Sequence, residues 1–130
     1  MCSARSLHNN HGLRIDLNGN GSIHRIDLNA LTVNLFLGNE LDGGLANLWL
    51  RLRRNGVLYK LPLLGPQSPL RPRGSAPDPL LHEISGRWMS LDIRLQLRLA
   101  TAQAAWFWHV LVNNTGDEAC DLDVIHVQDI

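Results

Sequence analysis

The segment Asp16-Leu-Asn-Gly-Asn-Gly-Ser-Ile-His-Arg-Ile-Asp27 spaces oxygen-bearing side chains as a calcium-binding loop does. Asp16, Asn18 and Asn20 occupy alternating ligand positions, Gly21 falls at the sharp turn and Asp27 stands at the last position. Calcium takes six to eight oxygen ligands, and such a loop normally ends in a glutamate that supplies two of them. Here the last residue is the shorter aspartate, few negative charges are present, and the flanks alternate as strands rather than helices. The competing reading is a β-hairpin turn that uses Asn and Gly for their tolerance of positive φ. The expectation is therefore no metal and no cofactor, with Asp16, Asn18, Asn20 and Asp27 as a calcium-loop lookalike.

Other chemistry-bearing residues are scattered. Six histidines (His8, His11, His24, His82, His109 and His126) form no close pair on one strand face. No serine sits in a nucleophile elbow and no glycine-rich phosphate loop precedes a helix. The acid pairs Asp117/Glu118 and Asp121/Asp123 read as solvated turn and strand-face residues, because paired carboxylates alone do not specify glycosidase chemistry. No catalytic residue is assigned. Trp49, Trp88, Trp106, Trp108 and Tyr59 offer aromatic faces on which sugar rings stack. Trp106 and Trp108 are better placed as core. Trp49 shares a face with Arg51 and Arg53 and has the stronger claim to exposure.

These residues must be positioned by sheets. Leu91, Ile93, Leu95, Leu97 and Leu99 alternate with Asp92, Arg94, Gln96 and Arg98, a period of two that buries one face and wets the other. Trp106, Trp108, Val110 and Val112 repeat the pattern, and a last strand is expected over residues 120–129. Leu13, Ile15 and Leu17 lead into the Asn18–Gly21 turn, and residues 23–28 return. Leu31, Val33, Leu35 and Leu37 alternate again. Leu48, Leu50 and Leu52 run to Asn55-Gly56, a tight hairpin signal, with residues 57–63 returning. Residues 65–79 hold five of the six prolines and no apolar period, so they are expected to form a long surface loop. The sum is an all-β chain: an antiparallel β-sandwich of about seven or eight strands, part of a larger sandwich. Residues 1–11 are expected as a disordered tail and 12–130 as the domain. The chain stops in what reads as mid-strand, which points to a piece of a longer protein.

Twelve basic and twelve acidic residues give zero formal net charge, so neither nucleic acid nor a membrane is expected as partner. Two cysteines without paired spacing and the lack of a signal-peptide core suggest a cytoplasmic setting.

Four stretches then carry a family resemblance. Asn20-Gly-Ser-Ile23, Asn34-Leu-Phe-Leu-Gly-Asn-Glu40, Gly43-Gly-Leu-Ala-Asn-Leu-Trp-Leu-Arg51 and Leu64-Gly-Pro-Gln-Ser-Pro69 resemble, in order, the N-terminal region of inverting β-glucan phosphorylases. The 1,2-β-oligoglucan phosphorylases are nearest, with cellobiose phosphorylase and cyclic β-1,2-glucan synthase as more distant relatives. Trp106-Phe-Trp-His-Val110 and Gln128-Asp129 extend the likeness. It implies a non-catalytic sandwich of a carbohydrate-active enzyme whose catalytic residues lie in a separate barrel. This chain alone would then be inactive and would serve as scaffold and as a contact for subunits or the substrate cleft. The implied partners are a β-glucan oligosaccharide, the remainder of the parent enzyme or a second copy. Candidate carbohydrate or interface contacts are Asn39, Glu40, Trp49, Arg51, Gln67 and Trp88. The alternatives are a free-standing carbohydrate-binding module and a structural interaction domain.

Overall fold

The structure is a computed structural model that describes residues 5–73 and 78–130. It is all-β: among the described residues there is no helix and there are eleven strands. In chain order these are β1 (Arg5–His8), β2 (Leu13–Leu17), β3 (Ile23–Leu28), β4 (Leu31–Thr32), β5 (Asn47–Arg54) and β6 (Val57–Pro62). They continue as β7 (Arg71–Pro72), β8 (Leu81–Trp88), β9 (Leu91–Leu99), β10 (Trp106–Asn114) and β11 (Asp121–Val127). All pairings are antiparallel, in three sheets ordered β1-β2-β3-β4, β10-β9-β8-β7 and β11-β5-β6.

The alternation of β9 organises the molecule. Its leucine face is fully buried and its charged face is wet. Leu91, Ile93 and Leu95 enter one core cluster with Leu48, Leu50 and Leu52 of β5. Leu97 and Leu99 enter a second with Leu7, Leu13, Ile15, Leu17 and Ile26 of the first sheet. The β7–β10 sheet is thus one layer, and the other two sheets together cover its inner face. Trp108 packs against both clusters.

Turn chemistry fixes the registers. Asn55 (φ 53°) and Gly56 (φ 75°) both lie in the left-handed region that a two-residue type I′ hairpin demands, which sets Arg54 opposite Val57. Gly86 in β8 lies so close to the preceding connection that an added methyl group would meet the Pro69 carbonyl oxygen at 2.7 Å.

Three stretches differ from the sequence reading. Residues Arg5–His8, expected in a tail, form β1 with Leu7 fully buried; Met1–Ala4 lie outside the described residues. The alternation after Leu31 makes only a two-residue strand, and Leu35, Phe36 and Leu37 stand exposed in the bend that follows. Residues 65–79 are not simply a surface loop. Ser68 and Leu70 are buried, and Arg71–Pro72 pairs with β8. Ser68 Oγ donates to the Leu63 carbonyl and accepts from Leu70 N–H, which satisfies this inward chain locally. Residues 74–77 of that stretch lie outside the described residues.

Candidate functional site: an open mouth between two edge strands

The calcium-loop lookalike is a hairpin turn. Asp16 accepts from Ser6 Oγ at 2.7 Å and Arg14 Nε at 2.9 Å. Asn18 Nδ2 donates to Ser22 Oγ, and Asn20 Oδ1 accepts from Ser22 N–H and Oγ. Asp27 accepts from Arg25 Nε and Thr32 Oγ1. Burial would raise the Asp27 carboxyl, but these hydrogen bonds and the nearby guanidinium groups outweigh it and hold it below the ordinary range. The oxygens are thus engaged within the first sheet and its turn. Among the described residues no three His, Cys, Asp or Glu side chains gather closely enough to hold a metal.

The six contact candidates do not converge. Asn39 and Glu40 brace the same turn from the next loop. Glu40 Oε1 accepts from Gly19 N–H at 2.6 Å and its carbonyl accepts from Asn20 Nδ2, while Asn39 Oδ1 caps Leu41 and Asp42 N–H. Arg51 forms a two-point pair with Asp123 of β11, at 2.7 and 2.6 Å. That hydrogen-bonded guanidinium lowers the Asp123 carboxyl below its usual range, and Arg51 in turn is raised. Trp49 lies on the outward face of β5 at 36% exposure, opposite Ile125 of β11. Trp88 is half-buried against the core, and Gln67 is exposed in the connection to β7.

The unusual region lies elsewhere, where the two layers meet at β10 and β11. The side chains of β10 that face the core are Trp106, Trp108, Val110 and Val112, and all four are only half-buried. On β11, Leu122, Val124 and His126 stand opposite Leu52, Leu50 and Leu48, so they share the core-facing side of that sheet. They are nonetheless exposed, Leu122 at 38% and Val124 at 43%. A groove of about 450 Å³ separates the two strands, walled by Trp106, Trp108 and Val110 on one side and Val124 and His126 on the other, with Leu48 in the wall as well. Trp108 Nε1 is buried in this wall without a hydrogen-bond partner among the described residues. A sandwich edge is ordinarily closed by side chains of both layers meeting over about 10 Å; here the core runs out to solvent.

The other face of β11 is mixed, with Asp121 and Asp123 at its start and apolar residues after them. Ile125 and Val127 are 40% and 44% exposed there. The Phe36 N–H donates to Asp129 at 3.0 Å, which ties the exposed Leu35–Leu37 bend to the chain just past β11. Period and spacing could not reveal this opening, because the same alternation describes a closed sandwich. Part of the signal was present in β11, where the run Val124-Ile125 breaks the alternation and puts apolar side chains on both faces.

A second concavity, about 680 Å³, lies on the outer face of the β7–β10 sheet, lined by Arg73, Arg87, Arg94, Asp92, Leu111 and Asn113 among others. Arg87 faces Asp92 at 3.8 Å and Arg94 faces Glu83 at 3.5 Å, so two of its cations are already accompanied.

Comparison with known families finds one model, the SOGP N-terminal domain, matching residues 16–130. The chain belongs to the SOGP N-terminal domain family. The match starts within β2 and takes in everything from there to Ile130, including both walls of the mouth. No curated protein matches this SOGP N-terminal domain.

Membership corrects the functional part of the sequence reading. The family is described as the SOGP N-terminal domain rather than as a glycoside phosphorylase N-terminal domain, and no matched protein is a phosphorylase. The resemblance to inverting β-glucan phosphorylases is therefore set aside. The parent phosphorolysis, and the glycosyltransferase, glycoside-hydrolase and carbohydrate-metabolism roles attached to it, go with it. The structure supplies a physical reason for caution over those motifs. Asn20, Ser22, Asn39 and Glu40 do turn and capping work, and Asn47 holds Leu64 through both its backbone groups. Residues with such turn and capping roles help set the fold.

Proposed function

We propose that this domain is a structural module that seats against further polypeptide across the β10–β11 mouth. The observation carrying this reading is the half-exposed core. Seven core-facing positions on two adjacent edges, Trp106, Trp108, Val110, Val112, Leu122, Val124 and His126, lack the cover that β5 and β9 enjoy. Completing the burial of each apolar side chain contributes about 1 kcal/mol. Contiguous exposed apolar surface of this kind marks an interaction site in a stable protein. The covering polypeptide is the remainder of a longer chain or a second copy, and the description of the family as an N-terminal domain favours the first.

The test is a photo-crosslinking side chain at Val124, with a second at Lys60 on the opposite edge as control, in the protein as its own cell makes it. Val124 is expected to crosslink to one recurring peptide from outside residues 1–130 or from another copy, and Lys60 is not. Equal, unspecific labelling at both positions would contradict the reading.

A further inference from the structure

Resting on the docking reading, we infer that the outer edge of β10 takes an added β-strand: an extended segment from outside these 130 residues whose every second residue, the one turned into the groove, is apolar.

The six sheet edges among the described residues are protected unequally. A strand edge presents unpaired N–H and C=O groups that invite pairing, and proteins blunt it with shortness, charge, proline or a bulge. β4 and β7 have two residues each, and β7 holds Pro72 and Arg71. β1 has four residues, and its chain is held by bonds to the connection before β8, with His8 N–H donating to the Pro79 carbonyl and Arg5 to the Asp78 and Leu81 carbonyls. β6 carries Lys60 and ends at Pro62. β11 carries Asp121 and Asp123. β10 has none of these devices. Its nine residues, Trp-Phe-Trp-His-Val-Leu-Val-Asn-Asn, include no Lys, Arg, Asp, Glu or Pro. Its register on β9 runs without a bulge from Trp106 opposite Leu99 to Asn114 opposite Leu91. It is long, regular and undefended, about 30 Å of free edge at strand spacing.

Side chains and backbone ask for the same occupant. The edge offers main-chain hydrogen bonds at alternate residues, and the groove beside it offers an apolar slot at the intervening spacing. A strand laid along β10 turns one face into the groove, over Trp106, Trp108 and Val110 and toward Val124. Its other face joins Phe107 (49% exposed) and Leu111 (47% exposed) on the outer surface. Among the described residues no Asp, Glu, Lys or Arg lines the slot, so a charged inward residue would find no ion partner there and is disfavoured. A second copy fits less well. Pairing β10 with its own twofold mate extends one sheet but leaves Leu122 and Val124 of β11 bare, whereas an added strand inside the mouth covers both walls.

The experiment titrates the protein with a nine-residue peptide of the β9 sequence, residues 91–99, which already matches β10 at the opposite edge. The control is the same peptide with Leu95→Pro, which lacks the central N–H and the extended geometry. Hydrogen exchange, tryptophan emission and sedimentation are read together. The expected result is saturable binding, a blue shift in emission, and exchange in β10 slowed at least tenfold, with the proline peptide inert. No binding at millimolar peptide, or binding that leaves β10 exchange unchanged, would overturn the strand site. So would protein self-association that protects β10 without peptide, which makes a second copy the occupant. The Val124 crosslink is independent of this titration: a specific crosslink with no peptide binding means that the mouth docks something other than a strand.

Discussion

His82 is a stability determinant. It lies in β8 opposite Leu97, with Nε2 buried and without a hydrogen-bond partner among the described residues. Burial, helped by the charge of Arg5, lowers its pKa from the ordinary 6.5 to about 4. The unfolded chain then binds a proton between those values that the folded chain refuses. Stability is full above pH 6.5 and falls as the pH drops toward about 4, by up to about 3 kcal/mol. Urea midpoints measured from pH 7 to pH 4 should fall for the parent protein and flatten for His82→Leu. The Arg51–Asp123 pair acts in the same sense at lower pH. Asp123 is depressed in the fold, so its contribution is present above the ordinary carboxylate range and is lost as pH falls through the depressed value. Asp123→Asn should remove that part of the acid limb and loosen β11. Neither role was legible in sequence. Nothing in the spacing of residue 51 and residue 123 shows that their strands are neighbours, so the sequence placed Arg51 among the contact candidates without its Asp123 partner.

Elements were legible where a period and a turn agreed. Leu91–Leu99 alternates without interruption and becomes β9 with those limits. Asn55-Gly56 names its own turn type, and the structure gives both residues positive φ. Gly56→Ala should cost about 1 kcal/mol through the left-handed backbone alone, because nothing lies within 4 Å of the added methyl. Thermal unfolding reads this directly. Alternation failed from Val33 to Leu37, where Asn34 turns inward and binds Ile26 N–H and the Phe36 carbonyl, so the chain bends instead of pairing. It was also silent over Ser68–Leu70, which is buried by hydroxyl and carbonyl bonds rather than by a hydrophobic period. Core depth differs in the same way between strands. Leu95→Ala in β9 should cost 2–5 kcal/mol in chemical denaturation, and Val124→Ala in β11 less than about 1 kcal/mol, because Val124 is already 43% exposed.

At the scale of the whole molecule, two layers close well over β9 and β5 and poorly between β10 and β11. The all-β class followed from periodicity. The opening did not, because a period of two states which side chains share a face and not whether another layer covers that face. β10 is a free edge beside an exposed core. Residue-resolved hydrogen exchange on the protein alone, at concentrations where sedimentation shows a monomer, tests this most directly. Alternate amides of β10, those turned away from β9, should exchange orders of magnitude faster than the amides of β9. Uniform protection along β10, equal to that of β9, would contradict it.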